Sequence, residues 1–128
     1  MENVRTAVLT LKSDKTILAY IRTSIKNDSV NIKIEFDNSK YEIGELNAEI
    51  ENNSYFISRI FIKKPYRNLG IGRFLIEQMI YYADINHMRL AVIVNPYGEM
   101  SFSKLTEIIL EYGFVLESNR IKMVRPAN

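Results

Sequence analysis

The sequence predicts an α+β domain on a mixed, mostly antiparallel central sheet, and three stretches support this prediction. From Ser29 to Phe36 apolar and polar residues alternate, which is the pattern of a strand buried on one face. From Gly70 to about Ile85 apolar residues recur every three or four positions, as on an amphipathic helix. The aliphatic run from Leu90 to Val94 predicts a strand buried on both faces. A strand that reaches its neighbour through a helix is usually parallel to it, with a right-handed crossover, so the sheet is mixed.

The N-terminal half predicts further strands and one short helix. Val4 to Leu11 alternates in part and predicts an opening strand. Thr16 to Lys26 narrowly favours a short helix, although alternate positions in its first half also suit a strand. Tyr41 to Ile50 alternates with a slip of phase, which predicts a β-bulge at Gly44. With Tyr55 to Lys63 as the next strand, the region beginning at residue 29 predicts a three-stranded antiparallel meander.

The C-terminal third predicts a loop, a helix and two closing strands. The loop is Asn95-Pro96-Tyr97-Gly98, and a helix capped by Ser101 or Ser103 runs to about Tyr112. Phe114 to Leu116 and Arg120 to Val124 then predict the closing strands. The length of 128 residues suits a single domain spanning 1–128.

The composition limits the available chemistry. The 17 Lys and Arg are nearly balanced by 15 Asp and Glu, so nothing in the charge demands a nucleic-acid partner. With no cysteine and one histidine, the chain offers no thiol nucleophile and no thiolate or histidine-rich metal site. The N-terminus lacks a signal-like apolar core and no aliphatic run can span a bilayer, so we expect a cytoplasmic protein with no membrane partner.

The most informative motif begins at the strand Ile60-Phe61-Ile62 and ends at two glycines before the predicted helix. Pro65 prevents this strand from continuing as a central strand. Glycines at a helix N-terminus leave backbone N–H groups uncovered, where the helix dipole also favours an anion. The spacing Arg67-x-x-Gly70-x-Gly72 matches neither the dinucleotide fingerprint, because position 75 is Leu, nor the nucleotide-triphosphatase loop. Another phosphate-bearing ligand is therefore expected.

The segment Arg67-Asn-Leu-Gly-Ile-Gly72, after an Ile-Phe-Ile strand, resembles the coenzyme A pyrophosphate loop of the GNAT acyl-CoA N-acyltransferase superfamily. The resemblance extends from about Tyr41 to Val124, and the first forty residues match poorly. It implies a three-layer α/β arrangement with helices on both faces of the sheet, and an acetyl-CoA-dependent N-acetyltransferase. It further implies that the cofactor binds through Ile60, Ile62, Arg67, Asn68, Leu69, Gly70, Gly72 and Arg73.

The residue types of this loop suit that role. Gly70 and Gly72 have no side chains, so the backbone can approach phosphate oxygens closely. Asn68 is one of the few non-glycine residue types that tolerates a left-handed conformation. Arg67 and Arg73 add positive charge near the phosphates. By the resemblance, the strand of Ile60 and Ile62 would pair through its backbone with the pantetheine arm.

The acid that protonates the departing thiolate is where this chain differs from the family. The resemblance implies a tyrosine four residues before Gly113-Phe114, and this chain has Ile109 there. Tyr112, about one helical turn from that position, and Tyr97, in the preceding loop, are the candidate replacements, with Ser103 and water as further options. Both tyrosines also have a purely structural interpretation as packing aromatics.

The candidates for the base that deprotonates the amine are more numerous. Glu45 and Glu49 share one face of a strand, Ser58 lies near the reacting end of the next strand, and Glu99 follows the Tyr97 loop. Direct loss of the proton to water is the alternative.

Two functions follow from these observations. The first is an N-acetyltransferase that acts on a primary amine, either a protein lysine or N-terminus or a small amine, by direct attack on the thioester. The second, motivated by Ile109, is a catalytically degenerate module that binds coenzyme A or another protein. A homodimer is compatible with either function.

Overall fold

The computed structural model describes residues 2–10, 16–36, 41–93, 107, 110–116 and 122–127. Helix α1 lies between the fifth and sixth strands, and a 3-10 turn, Lys64–Tyr66, precedes it. In chain order the elements are β1 (Glu2–Thr10), β2 (Thr16–Lys26), β3 (Ser29–Phe36), β4 (Tyr41–Glu51), β5 (Ser54–Ile62), α1 (Ile71–Ile85), β6 (Arg89–Ile93), β7 (Val115–Leu116) and β8 (Lys122–Arg125).

The strands form one eight-stranded sheet in the order β1-β2-β3-β4-β5-β6-β8-β7. The first five strands are a continuous antiparallel meander, because each pairs with the next along the chain. β5 and β6 are parallel and joined through α1, whereas β8 is antiparallel to both β6 and β7. The predicted mixed, mostly antiparallel sheet and the α+β class are therefore confirmed, and the predicted meander is longer than expected.

The prediction of a short helix over Thr16 to Lys26 is wrong, because this segment is strand β2. It pairs with β1 from Thr16 to Ser24 and with β3 from Ala19 to Lys26. Ile17 is buried whereas Leu18 is 46% exposed, so burial alternates with period two and not with the period of a helix. The backbone of β2 forms hydrogen bonds with β1 on one edge and with β3 on the other. This tertiary pairing outweighs the helical spacing of its apolar side chains.

The bulge predicted at Gly44 is present at Ile43, one residue earlier in the chain. In the pairing of β3 with β4, Ile34 faces Gly44 but Glu35 faces Glu42, which leaves Ile43 as the extra residue. The extra residue explains the phase slip, since Ile43 and the even-numbered Leu46 are both fully buried.

Helix α1 covers one face of the sheet and contacts β3, β4, β5 and β6. Its buried side chains meet those of the central strands in one hydrophobic core. The second covered face implied by the family resemblance is not confirmed in the described part of the chain. The buried residues of α1 are Ile71, Gly72, Leu75, Ile76, Met79, Ile80 and Ala83.

The C-terminal third is described in part. Residues at 107, 110 and 111 are helical, Gly113 has a left-handed φ of 87° where that helix ends, and the two closing strands are confirmed as β7 and β8. The predicted loop 95–98 and the predicted start of the helix lie outside the described residues. In the ranges given above, no helix combines the length and apolar character that crossing a membrane requires.

Candidate active site

β5 and β6 form a fork at the centre of the sheet. Their parallel pairing joins Ser54–Ile57 to Arg89–Val92 and stops there, while β5 continues to Ile62 along β4. Among the described residues, no strand pairs with the other edge of β5 between Ser58 and Ile62. Apart from the carbonyl oxygen of Ile62, which accepts a hydrogen bond from Arg67, the backbone N–H and C=O groups on that edge are therefore available to an extended ligand that adds to the sheet.

A β-bulge marks the point where the fork opens. Asn47 of β4 faces Arg59 and the next residue, Ala48, faces Ile57, so Ser58 is the extra residue in β5. Its hydroxyl donates to the carbonyl oxygen of Asn47 at 3.3 Å, and its side chain is exposed. The structure thus places the predicted catalytic residue Ser58 at the fork.

The predicted phosphate loop connects the open end of β5 to α1. β5 ends at Ile62, Pro65 lies in the 3-10 turn, and Asn68 and Gly70 have left-handed φ values of 63° and 94°. These two conformations turn the chain into the helix, as expected for Asn and Gly. A Cβ on Gly70 would meet no atom within 4 Å, so this position requires glycine for its backbone conformation and not for space.

The N-terminus of α1 has no capping side chain. Gly70 is the N-cap, it provides no side-chain hydrogen bond, and the first turn contains no acidic residue. The first N–H groups of a helix have no intrahelical partner, and the helix dipole is positive at this end. Leu69 packs against the core, and a groove of about 450 Å³ opens beside Leu69 and Gly70, between the end of β1 and α1. The loop can therefore hold an anion through backbone groups.

Arg67 anchors this loop to β5. Its Nε donates to the carbonyl oxygen of Ile62 at 2.9 Å, and its guanidinium lies 5.9 Å from the centre of the Phe61 ring. The guanidinium of Arg59 lies 5.1 Å from the centre of the same ring. The side chain of Arg67 thus fixes the bend between strand and loop, and it keeps a positive charge at the open end of β5.

Arg73 lies in the first turn of α1 and is bound to the C-terminal helical residue Glu111. The hydrogen bond from Arg73 to Glu111 is the main cause that raises the pKa of the guanidinium above its ordinary value. The carboxylate balances the arginine charge, so Arg73 joins two helices as well as adding positive potential near the loop.

Tyr112 is hydrogen bonded to the same side of α1. Its hydroxyl donates to Glu77 Oε2 at 2.8 Å. Burial is the largest cause of a raised pKa for Tyr112, and the bond to Glu77 raises it further, while Arg73 acts in the opposite direction. A tyrosine is protonated at neutral pH at its ordinary pKa, and a raised pKa makes it a weaker acid, so the shift does not itself favour Tyr112 as the proton donor. The hydroxyl points to Glu77, which is the partner that fixes its present orientation.

Glu45 lies on the sheet face opposite α1 within a polar cluster. It accepts from Asn31 Nδ2 at 3.0 Å and from Asn47 Nδ2 at 3.3 Å, and it lies 3.9 Å from Arg59 and 4.0 Å from Lys33. Its side chain is 16% exposed. Four partners therefore hold this carboxylate, and its hydrogen bonds explain its burial without a catalytic role.

The structure brings the predicted cofactor residues together and separates the predicted catalytic ones. Ile60, Ile62 and the loop 67–73 are continuous around the open end of β5. Ser58 is at the fork, Glu45 is on the sheet face opposite α1, and Tyr112 packs against the core with its hydroxyl on Glu77 of α1. Tyr97 and Ile109 lie outside the described residues. In the described ranges, no three His, Asp or Glu side chains gather to hold a metal ion.

Two features of the site were not predicted from the sequence. The bulge at Ser58 has a sequence signal, because Tyr55 and Ile57 are apolar at odd positions and Ile60 and Ile62 at even ones. The other feature is Arg125, which donates from Nε to the carbonyl oxygen of Tyr112 at 2.9 Å and from NH2 to Asp84 Oδ2 at 3.2 Å. These partners are 13 and 41 residues away along the chain, so no local pattern identifies them.

Comparison with known families and proteins agrees with this geometry. Residues 2–96 match the model of the acetyltransferase (GNAT) family. The chain therefore belongs to the GNAT acetyltransferase family, which the loop motif resembled. It is also 30% identical over 115 residues to an uncharacterised helicase candidate of Acanthamoeba polyphaga mimivirus, a match that covers 87% of this chain and 10% of that protein.

Solved structures share the fold at low sequence identity. A cAMP-binding acyltransferase from Mycobacterium smegmatis superposes with a TM-score of 0.71 at 11% identity, over 98% of this chain and 48% of that one. The PaiA N-acetyltransferase from Thermoplasma acidophilum, solved with coenzyme A, gives 0.62 at 17% identity over 77% and 61% of the two chains. The ribosomal-protein-S18-alanine N-acetyltransferase from Escherichia coli gives 0.65 at 11% identity over 100% and 95%. The chain thus spans about half of the first of these structures and a tenth of the viral protein.

Proposed function

We propose that this chain is a single-domain, acetyl-CoA-dependent N-acetyltransferase that acts on a primary amine. The observation that supports this most strongly is the continuity of two binding elements. The open edge of β5 between Ser58 and Ile62 leads directly into a loop with an uncapped helix N-terminus. An extended amide chain that ends in a pyrophosphate needs these two elements in this order.

The loop fits the pyrophosphate. The backbone N–H groups at the start of α1 have no side-chain cap, and the left-handed Gly70 leaves open space where a Cβ would otherwise lie. Asn68, Leu69 and Gly72 complete the turn, and Arg67 supplies a positive charge that is fixed to β5. The helix dipole and these groups all favour an anion at the same place.

The open edge of β5 fits the pantetheine arm. The side chains of Ile60 and Ile62 pack toward the core, so their role is to hold the strand while the backbone pairs with amide groups of the ligand. When bound, acetyl-CoA supplies an activated thioester whose carbonyl carbon a neutral amine can attack. Ser58 lies at the fork, where its hydroxyl or the backbone of the bulge can donate to the charge that develops on the carbonyl oxygen.

Two proton transfers have to be assigned: protonation of the departing thiolate and deprotonation of the attacking amine. Tyr112 is the proposed acid because it lies about one helical turn from the position of the family tyrosine, with Tyr97 as the second candidate from the sequence. For the base, we favour direct loss of the proton to water over Glu45, because four neighbours already hold that carboxylate.

The acceptor is proposed to be a protein lysine or N-terminus, with a small amine as the second possibility. The described residues before β3 form the first two strands of the meander, β1 and β2, so little of this chain remains for a dedicated small-substrate pocket. The Escherichia coli enzyme of nearly equal length is named for an acceptor that is a ribosomal protein. We also propose that the protein works in the cytoplasm, in line with its lack of cysteine.

A second candidate function is a degenerate module that binds coenzyme A or a protein partner without catalysis. The observation that favours it is the engagement of Tyr112 with Glu77, together with Ile109 at the position of the family tyrosine. This candidate keeps the cofactor site and removes the chemistry, so binding and turnover must be measured separately.

The test uses two glycines with matched backbones. Gly70 and Gly113 have φ values of 94° and 87°, and a Cβ on either would meet nothing within 4 Å, so aspartate costs similar backbone strain at both. We expect acetyl-CoA to raise the melting temperature of the wild type and of Gly113→Asp, and not of Gly70→Asp, where a carboxylate would face the pyrophosphate.

The outcomes separate the two functions. A wild type that millimolar acetyl-CoA does not stabilise contradicts both, and a Gly70→Asp variant with normal stabilisation contradicts the loop assignment. Stabilisation without release of free thiol across protein and small amines would favour the degenerate module over the enzyme.

A further inference from the structure

A cavity lies beside α1, on the face of the sheet that this helix covers only in part. The helix lies mainly over β3 to β6, so β1 and β2 extend beyond it. The cavity has a volume of about 370 Å³ and lies between these two strands and the second half of the helix. Small-molecule sites in proteins typically have volumes of about 300–1,000 Å³. The cavity is therefore large enough for a small ligand.

Strands β1 and β2 form a polar wall of this cavity. Asn3 and Arg5 line it from β1, on the same side of that strand as the buried Leu9, because alternate residues of a strand share a face. Thr23 lines it from β2 and is the partner of Asn3 in the pairing of the two strands. An amide, a hydroxyl and a guanidinium thus face α1 from this side.

The helix and the floor of the cavity are more apolar. Ile25 and Ile32 line the cavity from β2 and β3, and Ile32 is buried in the core. Tyr81 and Tyr82 line it from α1, and the side of Tyr81 is open to solvent at 65% exposure. Aromatic rings and branched aliphatic side chains form the kind of surface on which another aromatic ring packs.

Arg5 is the single charged residue among those that line the cavity. In the part of the chain that the structure describes, no carboxylate forms an ion pair with it. Arginines elsewhere in the protein do have such partners, as Arg73 has in Glu111. A guanidinium offers five N–H donors in a planar fork and is always charged. The cavity is therefore complementary to a ligand with one negative charge.

We propose that this cavity binds a small aromatic carboxylate, whose ring packs against Tyr81 and the isoleucine floor and whose carboxylate accepts hydrogen bonds from Arg5. The two carboxylate oxygens match the guanidinium fork, and one negative charge balances one cation. The site is separate from the candidate active site, because Gln78, its first residue on α1, is eight residues and roughly 12 Å along the helix from Gly70. This inference does not depend on the proposed function.

The first test separates the contributions of charge and ring by calorimetric titration of the full chain. The probe is para-tert-butylbenzoate, and the neutral para-tert-butylbenzamide is its match in shape. We expect the benzoate to bind at least about tenfold more tightly than the amide, because hydrogen bonds to a charged group are the stronger ones.

Two arginine variants assign this difference to one side chain. Arg5→Gln should weaken binding of the benzoate at least about tenfold and leave the amide almost unchanged. Arg5 is exposed on an edge strand, so the variant is expected to fold. Arg59→Gln is the control, since its side chain is 57% exposed and lies on the opposite face of the sheet, and it should bind the benzoate as the wild type does.

The second test locates the ligand. The chain has no tryptophan, so a single introduced indole reports on its own surroundings. In Tyr81→Trp the indole replaces an exposed ring in the cavity wall, and its fluorescence should change when para-tert-butylbenzoate is added. In Val115→Trp it replaces a side chain that is 57% exposed on β7, at the other edge of the sheet, and its fluorescence should not change.

Four results would overturn the proposal. The first is a wild type that gives no binding heat with millimolar para-tert-butylbenzoate. The second is an amide that binds as tightly as the benzoate. The third is an Arg5→Gln variant with the affinity of the wild type for the benzoate. The fourth is an indole at position 115 that responds to the benzoate as strongly as one at position 81.

Discussion

Substitution of Gly44 by alanine tests how closely α1 packs on the sheet beside the candidate site. A Cβ on Gly44 would lie 3.0 Å from Ile62 Cδ1, 3.3 Å from Ile71 Cγ2 and 3.4 Å from Leu75 Cδ1. All three neighbours are buried, at 4%, 2% and 0% exposure. Ile62 ends β5 and Ile71 begins α1, so the added methyl group would push apart the two elements that hold the loop.

Two effects of this substitution oppose each other. Overpacking a core with one methyl group typically costs about 1–3 kcal/mol. Replacing glycine by alanine within a strand recovers about 0.5–1 kcal/mol of conformational entropy. The backbone at Gly44 is not left-handed, so no strain is added. We expect Gly44→Ala to lower the free energy of unfolding by about 1 kcal/mol, because the larger of the two effects is the steric one.

A double-mutant cycle in urea identifies the contact responsible. Ile62→Val removes the closest atom, Cδ1, and alone should cost about 0.5–1.5 kcal/mol. Because the clash disappears with that atom, the double variant Gly44→Ala/Ile62→Val should be more stable than the sum of the single effects by at least about 0.5 kcal/mol. With urea m-values of about 1–3 kcal/mol/M, these differences move the unfolding midpoint by a measurable fraction of a molar.

The control pairs Gly44→Ala with Ile57→Val. Ile57 is also buried in β5, at 5% exposure, but is not among the three nearest atoms to a Cβ at Gly44. These two substitutions should therefore be additive. Additivity within about 0.3–0.5 kcal/mol for the pair with Ile62 as well would show that the steric reasoning is wrong.

Three further predictions concern groups around α1 and the last helix. Arg125→Ala removes the bonds to Asp84 and to the carbonyl oxygen of Tyr112 and should destabilise the protein by about 1–2 kcal/mol in urea, and Arg125→Lys should recover only part of this loss because lysine lacks the planar fork. Burial, and then Tyr82, raise the pKa of Tyr55 from 10.0 to about 12, so its contribution to folding stability should be complete below pH 10 and be lost as the pH rises toward 12, and Tyr55→Phe should make the alkaline decline in pH-dependent thermal melts shallower. Tyr112→Phe should lower kcat for acetyl transfer at least tenfold with KM for acetyl-CoA unchanged, and an unchanged kcat would contradict its role as the acid.

Most of the sheet was predictable because its strands have one buried and one exposed face. β3, β4, β5 and the crossover through α1 to β6 appear in the sequence as alternation, a helical stripe and an aliphatic run. β2 was not predictable in this way, since its apolar residues fit a helix and a strand almost equally well. Only its pairing with β1 and β3 decided between them, and those partners are chosen in three dimensions.

The candidate site also has some features that the sequence predicts and others that it does not. The left-handed Asn68 and Gly70, and the end of β5 before Pro65, follow from residue types with strong local preferences, so the sequence predicted the shape of the loop. The bulge at Ser58 also has a local signal in the phase of the apolar residues. Polar partners such as Glu77 for Tyr112 have no local signal, because they are 35 residues apart.

By itself, the sequence determined the class of fold, the position of the glycine loop before α1 and the family to which the chain belongs. Backbone conformation and side-chain burial are dictated locally there, by glycine, asparagine, proline and the period of apolar residues. Only the tertiary structure decided that β2 is a strand, that the pairing of β5 with β6 ends at Ile57, and that Glu45 is enclosed by polar neighbours. Each of these depends on which segments meet, and distant segments meet through the packing of the whole sheet against α1.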